Sequence, residues 1–218
     1  MTLSSQAANI YRQVSAPGIP LGDLRKIAKV IKKDHALAME LWHTGEYLPR
    51  QLALLIMDPR LLTQPVIDAL DKDMQQHTDA EQLQLADWLM ANQLTKHKQA
   101  IALLQSWRDS PSVLQRRLFW YYQGRLRWTG QVPPDDTEEL LTLIETRIEK
   151  EQAAVQWAMN FTAAQIGTFQ QEYRQRCIEL GERTGLYKDI KVAKNCIPDY
   201  LPDWIAMQVA KLNTAENR

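Results

Sequence analysis

Basic side chains gather at three places in a chain whose formal net charge is zero. Arg25, Lys26, Lys29, Lys32 and Lys33 form the densest run. Arg108, Arg116, Arg117, Arg125 and Arg127 form a second cluster, and Lys188, Lys191 and Lys194 a third. Clusters of this kind could line a basic groove. The balance of 26 basic against 26 acidic residues counts against a generic nucleic-acid binder, which carries a surplus of Lys and Arg. It leaves room for a basic groove on an otherwise acidic surface. The plain alternative for Lys26 to Lys33 is the solvated face of an amphipathic helix. For Arg116 and Arg117 it is surface ion pairing, which contributes little stability.

Other chemistries find less support. The histidines, His35, His43, His77 and His97, are scattered, and no two share a helix face at metal-ligand spacing. Cys177 and Cys196 are too few for a disulfide framework and lack metal-type spacing. Cys177 reads as a buried thiol. There is no Gly-rich phosphate loop and no Ser/His/Asp arrangement, so neither a metal nor an organic cofactor is expected. A hydrophobic share of 45% with 24% charged residues is that of a soluble globular chain. No apolar run reaches the roughly 18 residues a membrane helix requires. The N-terminal MTLSSQAANIYRQ lacks the basic start and apolar core of a secretory signal. A reducing cytoplasm is the natural compartment, nucleoid-associated at most, and a monomer the simplest state.

The elements that must position these residues read as helices. Leu41 to Leu70, LWHTGEYLPRQLALLIMDPRLLTQPVIDAL, places one helix before Gly45, a second from near Pro49 to Asp58-Pro59, and a third from Thr63-Gln64-Pro65. Leu24, Ile27, Ala28 and Ile31 form a stripe at helical spacing. Thr78 and Glu81 spell a capping box. Ser110-Pro111-Ser112 opens another helix, and Pro133 to Thr137 the next, with Leu140, Ile144 and Ile148 inward. Glu151 to Ile166 follows, with Gly167 read as its C-cap. All eight glycines are read as lying outside the periodic stretches, at Gly18, Gly22, Gly45, Gly124, Gly130, Gly167, Gly181 and Gly185. No period-two alternation argues for a strand. About ten to twelve short helices, paired every 35 to 45 residues or roughly so, point to stacked helical repeats. The expectation is an all-α, HEAT-like helical repeat solenoid, an α-α superhelix, as a single domain over residues 1–218 with a frayed tail from Asn213 to Arg218.

From about Asp23 to Val209 the chain resembles the DNA alkylation repair proteins, which are built from HEAT-like repeats. The likeness rests on Leu41 to Leu70; on LQLADWLMANQL, Leu83 to Leu94; on SWRDSPSVLQRR, Ser106 to Arg117; and on VQWAMNFTAAQIG, Val155 to Gly167, followed by Leu180 to Ile205. Members with alkylpurine DNA glycosylase activity carry Trp-x-x-x-Asp on the helix matching the second segment. In one register Asp87 takes the Asp position and Asn92 matches a later Asn, but Leu83 replaces the Trp. In the other Trp88 takes the Trp position and Asn92 replaces the Asp. The first is preferred, because it matches Asp87 and Asn92 together. Leu114-Gln115-Arg116 matches a Leu-Gln-Arg whose Arg faces DNA, with Arg117 beside it. Asn160-Phe161 stands where the family has Asn-Trp.

These matches imply a partner, double-stranded DNA, alkylated or not, and a chemistry. An N3- or N7-alkylated purine is cationic and leaves readily, so positive charge develops on the sugar. A carboxylate such as Asp87 would stabilise that charge and orient water. The faces of Phe161 and Trp88 would hold the cationic base or sugar. Arg116 and Arg117 would grip phosphate, and the base must be reached by distortion or extrusion. Each residue also has an ordinary reading: solvated Asp87, and packing for Trp88, Trp120, Trp157 and Phe161. Three functions follow: an alkylpurine glycosylase, a catalytically degenerate DNA-binding protein, and a protein-binding helical scaffold.

Overall fold

A central helix organises each half of the chain. The computed structural model describes residues 3–15, 19–128, 132–194 and 196–216. Among them are twelve α-helices and no strand. The chain divides into two compact units, the first ending at Trp107 and the second beginning at Arg108.

The first unit holds α1 (Ser5–Val14), α2 (Leu21–Ile31), α3 (His35–Trp42), α4 (Tyr47–Ile56), α5 (Gln64–Met74), α6 (Asp79–Asn92) and α7 (Lys98–Ser106). Side-chain caps set several starts. Ser4 accepts from the Ala7 N–H and Asp34 from Leu37, each satisfying a donor the first turn leaves orphaned. Thr78 and Glu81 complete the capping box read from the sequence, so α6 begins at Asp79. Gly45, at φ 78°, lies just past α3, in a turn that a Cβ would strain. Helix α4 packs against α2, α3 and α6. It buries Leu52, Ala53, Leu54 and Ile56 together with Arg50 and Gln51, so it is inward on nearly every side.

The second unit holds α8 (Val113–Arg125), α9 (Thr137–Arg147), α10 (Ala153–Phe169), α11 (Arg174–Thr184) and α12 (Leu201–Glu216). Helix α10 is its axis and packs against all four others. From Ala158 to Thr168 every residue of α10 is buried. Thr162, within that stretch, satisfies its hydroxyl by donating to Trp120 O (2.6 Å) and Ala158 O (2.9 Å). No helix among the described residues is long and apolar enough to cross a membrane.

Two expectations are corrected. Gly167 is no C-cap, because α10 runs on to Phe169. A Cβ there would lie 2.5 Å from Ile205 Cδ1 and 3.0 Å from Cys177 Cβ, so the glycine marks the close approach of α11 and α12 to α10. Gly22, Gly124 and Gly181 likewise lie inside helices; only Gly45 and Gly185 sit at helix ends with positive φ, while Gly18 and Gly130 fall outside the described residues. Helix α12 continues to Glu216, with the Thr214 hydroxyl donating to Ala210 O, and residues 217 and 218 lie outside the described range.

Candidate nucleic-acid interface

Asp87, Trp88 and Asn92 share α6 in the first unit. All three are half-buried at the edge of the core formed by Leu85, Ala86, Leu89 and Met90. Asn92 donates from Nδ2 to Trp88 O at 2.9 Å, so its amide braces the end of its own helix. The guanidinium of Arg25, reaching over from α2, lies 5.5 Å from the centre of the Trp88 ring. That contact sets the indole beside the densest basic run of the chain, and Arg25, Lys26, Lys29, Lys32 and Lys33 are all exposed.

The start of α6 is anchored by a buried arginine. Arg50 donates from Nε to Trp42 O (3.1 Å) and from Nη1 to Asp73 O (2.7 Å). Its Nη1 also lies 2.8 Å from His77 Nε2, which must then be the acceptor. The Nδ1 side of His77 faces Glu81 at 3.4 Å, the same carboxylate that closes the capping box.

Arg116, Arg117 and Phe161 belong to the second unit. Arg116 spans a loop, donating to Ser110 O (2.8 Å), Pro111 O (3.3 Å) and Glu151 Oε2 (3.2 Å). Much of the second basic cluster is similarly engaged. Arg127 is fully buried against Asp136, Thr137 and Gln123, and Arg108 pairs with Asp109 and Glu139. Residues that are neighbours in sequence as loose cations are thus largely internal connectors.

Arg117 and Phe161 are brought together through an aromatic cluster. Arg117 is buried, with its guanidinium 4.9 Å from the Trp157 ring centre and 5.5 Å from that of Tyr121. Trp157 stacks on Phe161 at 5.6 Å and 16°. Tyr121 and Trp204 meet Phe161 edge-on at 5.0 and 6.0 Å. Phe161 itself is only 8% exposed. Its partner residue Asn160 donates to Asp199 O at 2.7 Å, which ties the chain entering α12 to α10.

Sequence reading missed Tyr121, Asp199 and Trp204. Tyr121 was within reach, since it lies one turn after Arg117 on α8. Asp199 and Trp204 arrive only by tertiary packing. Burial raises the Asp199 pKa, and the Trp157 indole N–H, donating to the carboxylate, partly offsets this. With the folded-state value raised, this carboxylate costs stability at neutral pH, and that cost disappears as pH falls through the raised value towards the ordinary one. Asp199→Asn keeps an oxygen for the indole and removes the charge. The variant is expected to unfold at a higher urea concentration than wild type at neutral pH, with the difference shrinking on acidification. A difference that does not change with pH contradicts this.

The family model of the DNA alkylation repair enzymes matches residues 3–185. No curated protein matches the chain. A solved structure from a family of proteins related to the HEAT-like repeat DNA glycosylases, with affinity for branched DNA structures, is 19% identical to this chain. The match covers 97% of this chain and 89% of that one with a TM-score of 0.67, and it shows the HEAT-like helical repeat fold. The expected fold class is therefore the observed one. The matched span of 183 residues out of 218 includes all six candidate positions, and the chain belongs to the DNA alkylation repair enzyme family.

Proposed function

We propose that this protein binds double-stranded DNA, alkylated or branched, and acts in alkylation repair. The family match from residue 3 to 185 carries the reading. The exposed cations of α2 beside Trp88 support it, as does the branched-DNA affinity of the structurally similar protein. In this reading Trp88 and Asn92 serve DNA binding in the first unit, and Arg116, Arg117 and Phe161 serve it in the second. Asp87 is the proposed catalytic carboxylate. A half-buried carboxylate suits the stabilisation of positive charge on a sugar whose cationic base is leaving.

A second reading, DNA recognition without base excision, is favoured by the burial of Phe161. An aromatic platform for a base needs an open face. The ring here is covered by Trp157, Tyr121 and Trp204.

Methylated duplex incubated with wild type and Asp87→Asn separates the two. Release of alkylated purine by wild type, reduced at least about 100-fold in the variant, is the expected result for a charge-stabilising group. Salt-dependent binding by wild type without release selects the second reading. Absence of salt-dependent binding removes both, since phosphate contacts must release counterions.

A further inference from the structure

We propose that α2 and the residue that ends it, Lys32, form a phosphate-contact ridge that takes the backbone of a duplex DNA arm; the proposal rests on the DNA-binding reading above. Five cations fall between Arg25 and Lys33 with no acid among them. The flanking acids are already engaged. Asp23 holds Lys26 at 2.7 Å, and Asp34 caps α3 by accepting from Leu37 at 3.0 Å. Lys33 acts on Asp58, whose carboxylate is chelated by Arg60. That leaves Arg25, Lys29 and Lys32 as exposed positive charge on one short element. Six arginines of the second unit present the opposite pattern, Arg108, Arg116, Arg127, Arg147, Arg176 and Arg183 each being paired to a carboxylate.

The backbone supplies a second, independent observation. Lys32 has φ 68° and ψ −126°, a conformation natural to glycine and strained for any residue with a Cβ. Its side chain is exposed, so no burial within the fold compensates the strain. A cation near a helix C-terminus does favour the helix dipole, but Lys29 already supplies one in the last turn. Residues held in sparsely populated backbone regions cluster where a function uses them. Arg25 and Lys29 are four residues apart on α2, so they share one face of the helix about 6 Å apart along its axis. Arg25 is steadied over Trp88, which orders one member of the row before any ligand arrives.

Binding of the full chain to a four-way DNA junction and to linear duplex, measured as Kd across a salt series, tests this with Lys32→Gly and Lys29→Gln/Lys32→Gly. Removing one cation from a phosphate lowers the slope of log Kd against log salt by about 0.9. The expected slopes are thus lower by about 0.9 and about 1.8, at every sequence tested alike. Lys32→Gly is also expected to raise the thermal midpoint while weakening binding, a combination that simple damage to the fold does not produce. An unchanged slope in the double variant, with wild-type binding intact, overturns the ridge and leaves the DNA-binding reading standing. Loss of salt-dependent binding in wild type itself removes that reading, and the ridge with it.

Discussion

Phe161→Ala is expected to lower the unfolding free energy of the second unit by about 3–5 kcal/mol, the usual cost of emptying a packed aromatic site. The ring is 8% exposed and touches aromatic side chains from three helices: Tyr121 on α8, Trp157 on α10 and Trp204 on α12. It also occupies the space that a side chain at Gly124 would need. A Cβ at position 124 would lie 2.6 Å from two carbons of the Phe161 ring. Gly124→Ala alone should therefore cost about 1–3 kcal/mol by overpacking. In the Phe161→Ala background much of that cost should vanish, because the ring carbons are gone and only Thr162 Cα, at 3.3 Å, remains tight. The cycle reads the coupling directly. A base-platform role for Phe161 makes a different prediction: DNA affinity falls while the urea midpoint stays near that of wild type. Additive effects of the two substitutions would refute the packing account.

The helical architecture was legible because it depends on local signals. Thr78 and Glu81 announce the start of α6 and Ser112 that of α8 by capping rules, and Pro65 in the first turn marks that of α5, all signals that need only a few adjacent residues. The glycines show where such signals fail. Gly167 and a true C-cap look alike in sequence, since both place a glycine after an apolar stripe. Only the approach of Ile205 and Cys177 explains why this one lies inside a helix. The candidate site was legible in its residue types and illegible in its surroundings. Arg116 and Arg117 are adjacent cations in the chain, yet one spans a loop to Glu151 and the other lies beneath Trp157 and Tyr121. A helix sends consecutive side chains about 100° apart, so neighbours in sequence face different partners. What those partners are is a tertiary fact.

The same distinction governs Arg50, which sequence patterning on α4 marks only as a polar residue in an apolar helix. Arg50→Met keeps the aliphatic stem near Trp42 and deletes the donors, and is expected to cost about 3 kcal/mol or more. Removing the guanidinium leaves Trp42 O, Asp73 O and His77 Nε2 without the donor that each now has from it. A buried acceptor stripped of its partner costs about 1–3 kcal/mol, and acceptors of one network do not add simply. Trp42 is itself tied to the network, donating to Asp73 Oδ2 at 2.7 Å with the guanidinium 4.9 Å from its ring centre. Arg50→Lys is not a rescue, because one ammonium cannot reproduce a planar fork directed at acceptors on α3, at the last turn of α5 and in the turn that follows it. The consequence extends to function. His77 meets Glu81, which closes the cap of α6, the helix bearing Asp87 and Trp88. On the proposed DNA-binding function, the variant should therefore weaken DNA binding through loss of order in α6, read as faster amide exchange from Asp79 to Asn92 under conditions where the chain remains folded. Unchanged stability together with unchanged exchange in α6 would show that the buried guanidinium is not what holds that helix in place.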